Sequence, residues 1–565
     1  MVHGRLLPLL LVLLVAAPAS AAGDNARFAL AQGCYQLTQG GSAVGGPVRM
    51  QPTELGVYLL YTKDARYLTR DFSAAADPSA ATEWTVEGTT GAFTLTVGGQ
   101  KLDGTYGFRA AEGCATFPES EVNVEGEPST RPTPWGTVGG FLDAHMHWMS
   151  ADFLGGNAHC GQPWNRYGIT KALADCPDHS VPGSPGNALE AALGGPPSHD
   201  TVGWPTFGYW PDDRSLTHES TYYKWVERAW RSGLRLFVNL YVDNVALCKV
   251  YPGGKDQTNC NEMNTVRLQA QKLREVRDYI DAQAGGPGKG WLRIVTTPFE
   301  ARRAIAAGKL AIIQGIEVSQ LFDCTLVDGV PNCDIEKIDR NLQEVYDLGV
   351  RGMEIVNKFD NAFVGVAGDS GVQGPIVNSG NRSETGRFWD METCQGVAEG
   401  DYDKTQIGGE EFSAILGASP VFAALRPDGA APVYPPPPHC NTVGLSSLGE
   451  YLLTQMIDKG MIIDPDHMSV LARNATMDLL EARRYSGVVS SHSWSTPTTY
   501  PRIYRLGGVV TPIASSSKSM VADWTTLKPQ RDKRFYFGFG YGADMNGFHS
   551  LGGPRGADAE NPVTY

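Results

Sequence analysis

The sequence predicts an α/β chain: a (β/α)8 TIM-type barrel preceded by a small all-β domain. Three observations predict it. Eight short apolar runs recur from Gly136 onward, several of them separated by helix-period stretches, and eight is the strand count of a parallel barrel. Residues before about 125 instead show short apolar stretches broken by glycines and turn residues, an antiparallel β pattern. Histidines and carboxylates also follow several of the later runs, at the strand ends where such a barrel keeps its chemistry.

The elements follow in order. Residues 1–21 read as an export signal, with Arg5, the apolar run Leu6–Ala17, and Ala19-Ser20-Ala21 as the small-residue cleavage pattern. The apolar run is too short to span a bilayer, so the expectation is a secreted or extracytoplasmic chain. Residues 22–125 form the β domain, with Val57-Tyr58-Leu59-Leu60-Tyr61 and Phe93-Thr94-Leu95-Thr96-Val97 as clear strands. Residues 126–136, with Pro128, Pro132 and Pro134, read as a linker. The barrel takes 137–565. Its strands are expected at Gly139–Asp143, Leu234–Asp243, Lys309–Glu317, Gly352–Asn357, Met461–Asp464, Gly487–Ser491, Gly508–Ile513 and Phe535–Gly540, with a long helix over Thr265–Gln283. Two intervals, 150–220 and 360–445, exceed simple crossovers. They leave the C-terminal ends of strands and read either as walls of a site or as surface additions.

Bulk properties narrow the class. The chain has 565 residues, 42% of them hydrophobic, and a formal net charge of −14. That charge argues against a nucleic-acid or anionic-membrane partner. No later segment has the long uncharged apolar run of a transmembrane helix. The ten cysteines are an even count, and in an exported chain they favour disulfides. Proximity suggests Cys34–Cys114, Cys160–Cys176, Cys248–Cys260, Cys324–Cys333 and Cys394–Cys440. No CxxC pair supports a thiolate metal site.

Four of the eleven histidines sit at expected strand ends. His145 and His147 follow the first strand, and residues two apart in extended backbone point to one side, so both imidazoles can grip one metal. Glu317 ends the third strand in AIIQGIE, where a carboxylate is costly to bury without charged partners. A metal pair would satisfy it, one oxygen on each ion. His467 ends the fifth strand, His492 the sixth, and Asp544 follows the eighth in GFGYGADMNG. Each alone has an ordinary structural reading; together, in barrel order on one face, they read as a metal centre.

The stretches RRAIAAGKLAIIQGIE, YDLGVRGMEIVN, KGMIIDPDHMS, SGVVSSHS, GGVVTPI and GADMNG, with DAHMH upstream, resemble the amidohydrolase superfamily, nearest its renal (membrane) dipeptidase-like branch. The resemblance covers most of 300–547 and leaves the β domain outside. It implies two divalent metal ions, zinc, with His145 and His147 on the first, His467 and His492 on the second, and Glu317 bridging. Asp544 would accept the proton of a metal-activated water and pass it to the leaving group. Other branches bridge through a carbamylated lysine, which makes Lys358 a rival to Glu317. Asp143 could orient a ligand imidazole, or make a simple strand-end hydrogen bond. The dipeptidases begin with His-x-Asp where this chain has His145-x-His147, and they carry a substrate-contacting histidine where it has Asn357. Arg502, ten residues after His492, stands near the spacing of an arginine that binds substrate carboxylate there.

The expected function is an exported metal-dependent hydrolase that cleaves an amide or peptide bond of a small molecule, as a dipeptidase or deacylase. An ester, lactone or phosphoester hydrolase on the same site is a second reading. A non-catalytic binding protein on a barrel scaffold is a third, which Asp544 argues against. The β domain carries no chemical motif; it binds a surface or packs on the barrel.

Overall fold

A computed structural model describes residues 25–548 apart from 157, 183, 193–198, 209, 211–214, 252–257 and 514, together with 552, 553 and 555. The expected export signal at 1–21 lies outside the described residues. The chain divides into two compact units. One takes residues up to Phe117 with Asp278–Gly290; the other takes Pro118–Arg277 and the chain from Trp291 onward.

In the first unit nine strands pair in one antiparallel sheet. The long strand Ser42–Glu54 pairs with Cys34–Gln39 and also with Val57–Thr62, so the ladder returns on itself. Alternation explains the core: Phe93, Leu95 and Val97 point inward from Ala92–Val97 while their neighbours do not. They meet Leu37, Met50, Leu60, Trp84 and Val86 in one buried cluster. Trp84 Nε1, which could not be buried unpaired at low cost, donates to the Leu68 carbonyl at 2.9 Å. A disulfide joins Cys34 to Cys114.

The second unit is built on parallel pairing. The first strand, Phe141–Met146, pairs with the second, Leu234–Asp243; that pairs with the third, Leu310–Val318, then come the fourth, Val350–Glu354, and the fifth, Ile462–Asp464. The third strand is buried along almost its whole length, which is why it reads as a continuous apolar run rather than an alternating one. The short sixth and seventh strands, Val489–Ser490 and Val509–Val510, pair with each other in parallel. Single parallel bridges continue the order, Ile463 to Val488, Val510 to Phe539 and Asp143 to Tyr541. The eighth expected strand is therefore present as bridges at Phe539 and Tyr541. Glycines shorten the ladder here: a Cβ on Gly542 would overlap the Ser491 and Thr511 carbonyls. One strand of this parallel sheet was not anticipated. Leu292–Ile294 lies along the start of the third strand, on the edge whose far end takes the fourth; three residues are too few to show a period.

The helix expected at Thr265–Gln283 runs Glu262–Gln283, and Asn261 Oδ1 accepts from the Asn264 amide at its start. Asp334, Ser446 and Ser469 cap Ile335–Leu348, Ser447–Asp458 and Val470–Arg483 in the same way. The two long intervals are structured. Residues 150–220 carry the short helices Ile169–Ala172, Pro177–Ser180 and Pro185–Ala192. Residues 360–445 carry Gln373–Thr385, Gly409–Gly417 and the strand pair Met391–Thr393 with His439–Asn441. All five proximity-based cysteine pairs form disulfides. Such a set belongs to an oxidising compartment. No helix among the described residues is long and apolar enough to cross a membrane.

Candidate metal centre

His145 and His147 leave the first strand on one side, and their Nε2 atoms lie 3.1 Å apart. Their Nδ1 atoms are engaged elsewhere. His147 Nδ1 is 3.1 Å from the Leu240 carbonyl, and His145 Nδ1 is 2.8 Å from Ser491 Oγ and 3.3 Å from Glu354 Oε1. Those contacts turn both Nε2 atoms toward one point, the usual way a protein orients ligand imidazoles. Glu317, from the end of the third strand, places Oε2 3.1 and 3.2 Å from the two nitrogens. Asp544 Oδ1 lies 3.0 Å from His147 Nε2 and 3.5 Å from His145 Nε2.

The other oxygen of Glu317 faces a second pair. Oε1 is 3.0 Å from His467 Nε2, which is 2.9 Å from His492 Nε2. His492 Nδ1 is 3.2 Å from Asp466 Oδ2. The His145 and His492 rings stack with centroids 3.8 Å apart. The structure thus brings together all six residues singled out as ligands or proton carrier.

These donors fit a metal ion. A tetrahedral zinc with bonds of about 2.0–2.1 Å needs ligand atoms about 3.3 Å apart. Among His145 Nε2, His147 Nε2, Glu317 Oε2 and Asp544 Oδ1, five separations run from 3.0 to 3.5 Å. Glu317 Oε2 is buried and accepts no well-directed hydrogen bond, although two imidazole nitrogens stand beside it. Imidazole nitrogens and a carboxylate oxygen converging on one point form a set that a cation could occupy in place of protons.

The electrostatics agree. Burial pushes His145 down most, but Glu317, Asp544 and Asp464 together overcome it and hold the imidazole up at about 9. His147 reaches about 9 as well: burial opposes, and hydrogen bonding to Asp544 and Glu317 prevails. His467 is driven well below its ordinary value by burial and by Lys358, and His492 is lowered by burial and by His145. Burial would raise Glu317, yet His145, His147 and His467 draw its carboxyl well below the usual range. Asp544 is lowered likewise, burial being outweighed by His147 and His145.

Backbone geometry sets Asp544. Its φ is +51°, its amide donates to the His145 carbonyl at 2.9 Å, and its own carbonyl accepts from Gly547 at 3.0 Å. A Cβ on Gly547 would overlap the Asp544 carboxylate and crowd His147. Two residues beyond the acid, Asn546 Oδ1 accepts from the Ser220 amide and hydroxyl at 3.2 and 2.7 Å. Asn546 Nδ2 donates to Glu219 Oε1 at 2.9 Å and Thr221 Oγ1 at 2.6 Å. The turn is thereby tied to the far end of the first long interval.

A cavity of about 220 Å³ reaches His147, Glu317, His467, His492 and Asp544. Asn357 lines it with a buried Oδ1 that has no partner. Lys358 lines it too, 3.3 Å from Asp369 and 4.7 Å from the centre of the Trp494 ring. Arg502 does not line it; its guanidinium is held 2.8 Å from Glu481 and 2.5 Å from Asp478. Asp143 accepts from the His145 and Ala543 amides, fixing backbone rather than an imidazole. Sequence reasoning missed Glu354, Asp466 and Ser491, which back the imidazoles. Burial and the nearby Glu317 and Asp466 charges raise Glu354 well above its usual range. The acids in MEIVN and DPDH stood at strand ends and were the available signal.

No family model matches the chain, and no curated protein does. Among solved structures, it is similar to a dipeptidase described as a family M19 metallopeptidase, at 11% identity and a TM-score of 0.29, covering 55% of this chain and 73% of that one. It is similar to an amidohydrolase from Pseudomonas aeruginosa at 12%, 0.29, 55% and 68%. It is also similar to the probable dipeptidase PvdM from Pseudomonas aeruginosa at 16%, 0.28, 57% and 59%. At such scores these likenesses add nothing to what the side chains themselves show.

Proposed function

We propose that the chain is an exported metal-dependent hydrolase, binding two divalent ions, zinc, and cleaving an amide or peptide bond of a small substrate. The observation that carries this reading is the convergence of His145 Nε2, His147 Nε2 and Glu317 Oε2 on one point beside Asp544, with the other oxygen of Glu317 turned toward a second imidazole pair. His145 and His147 would hold one ion, His467 and His492 the other, and Glu317 would reach both. The ring of parallel pairings supports reading the second unit as a (β/α)8 barrel with this centre at the strand ends. The disulfides support an extracytoplasmic location.

When bound, the ions would lower the pKa of a water toward about 7 and polarise a carbonyl. The chain's own groups do the rest. Asp544, kept ionised and facing the cavity, takes a proton from water and returns it to the leaving nitrogen. Asp466 and the Leu240 carbonyl hold His492 and His147 in the tautomers that present Nε2. Metal analysis of the full chain after reconstitution with zinc is expected to return about two ions; finding none would sink the proposal.

A further inference from the structure

We infer that the substrate is a secondary amide joining an extended apolar acyl chain to an amine that bears a carboxylate, an N-acyl amino acid. This rests on the hydrolase reading above and names its substrate class. Three observations carry it.

The cavity beside the donor set has one apolar side. Phe153, Leu189, Leu247, Val377, Phe422 and Phe548 line it, most of them from the two long intervals and the segments near them. A second small void is lined by Leu189, Leu247 and Phe422 again, so these apolar side chains bound both spaces. The lining also carries polar groups. Asn357 is only 7% exposed, and its Oδ1 has no partner, so it can accept the N–H of a secondary amide; an ester offers no such hydrogen. Lys358, with three donors, makes one ion pair at 3.3 Å with Asp369 and lies over the Trp494 ring, which leaves donors for a carboxylate. The described lining carboxylates are Glu317 and Asp544, which face the imidazoles, and Asp369, which faces Lys358. A dipeptide's free ammonium would therefore find no described lining carboxylate that is not already paired, a cost that a methylene chain avoids.

The reaction adds the oxygen of water to the acyl carbon and breaks the C–N bond. The nitrogen leaves with the proton carried by Asp544, giving a fatty carboxylate and a free amino acid.

The test uses the full, zinc-loaded chain. N-acylglycines from acetyl to decanoyl are titrated calorimetrically into Asp544→Asn, and their kcat/KM values are measured with the wild type. Affinity is expected to tighten about three- to fourfold per methylene until the cavity is filled. Leu247→Trp should end that rise at a shorter chain. Replacing the carboxylate of decanoylglycine by its methyl ester should weaken binding about tenfold or more, and Lys358→Met should remove that difference. Chain-length-independent binding and kcat/KM, or free dipeptides equal to decanoylglycine, would overturn the inference while leaving a metal hydrolase in place. Failure to retain metal would overturn the hydrolase reading, and the binding series would still decide what the pocket accepts.

Discussion

His145 and His147 come from one strand, two residues apart, whereas His467 and His492 come from two strands and stand 25 residues apart in the chain. Their Nε2 spacings are nearly equal, 3.1 and 2.9 Å. Their surroundings are not. The first pair faces Glu317 and Asp544 and is held up at about 9; the second faces Glu317 and Asp466, and burial, with Lys358 acting on His467 and His145 on His492, pushes it down. Equal geometry with unequal charge separates two tasks. The first half stands beside Asp544, the proposed proton carrier, and the second half is left as neutral imidazole, the form that ligates directly.

The comparison breaks most completely at Glu317, which both halves use. Glu317→Ala removes a buried carboxylate from among three imidazoles, a loss of about 3–5 kcal/mol. Both ions are expected to fall to substoichiometric levels, with activity at background. Retention of either ion on metal analysis would show that the halves are independent.

Asp544→Asn probes the surplus carboxylate of the first half. Metal content should stay near that of the wild type while kcat falls about 10²–10⁴-fold. Parallel loss of metal would make Asp544 a ligand rather than a proton carrier.

Asp466→Asn touches only the second half, by releasing His492 Nδ1. Affinity for one ion should drop about 10–100-fold, leaving the other unchanged in a chelator competition.

The smallest effect is in protons. Without metal, His145 and His147 keep their protons up to about pH 9, above the ordinary value of 6.5. Their contribution to the stability of the metal-free chain is full below about 6.5 and is lost as pH rises through about 9. Ligation needs the neutral ring, so loading the first half at neutral pH should release protons and loading the second should release few. Calorimetry in buffers of different ionisation enthalpy reads the difference; equal release from both steps would erase the contrast.

Much of this was legible because apolar strand runs end on the residues proposed for the metal centre. FLDAHMH, AIIQGIE, GMIIDPDH and GVVSSH each announce a strand and a proposed terminal ligand in one stretch. The eighth strand was harder. Phe535–Gly540 has the right composition, yet glycines pressed against neighbouring backbone leave only bridges at Phe539 and Tyr541. Glu354 and Asp466 were illegible as partners because they act on histidines from other strands, and a lone acid has no spacing to read. The apolar cavity wall was hidden for a different reason. It comes from intervals with no period, whose shape depends on disulfides and on contacts such as Asn378 Nδ2 with Tyr434 Oη at 2.6 Å. Arg502 shows the converse: a suggestive interval in sequence, spent on Glu481 and Asp478 in space.

Asn546 gives the chain a rule of inheritance. It knots the turn bearing Asp544 to Glu219, Ser220 and Thr221, some 325 residues upstream. The end of the first long interval and the Asp544 turn of the second unit are therefore one module written in two distant places. A chimera that imports either piece alone would carry an acid aimed by a knot with only one strand of its rope, so recombination must exchange the two together.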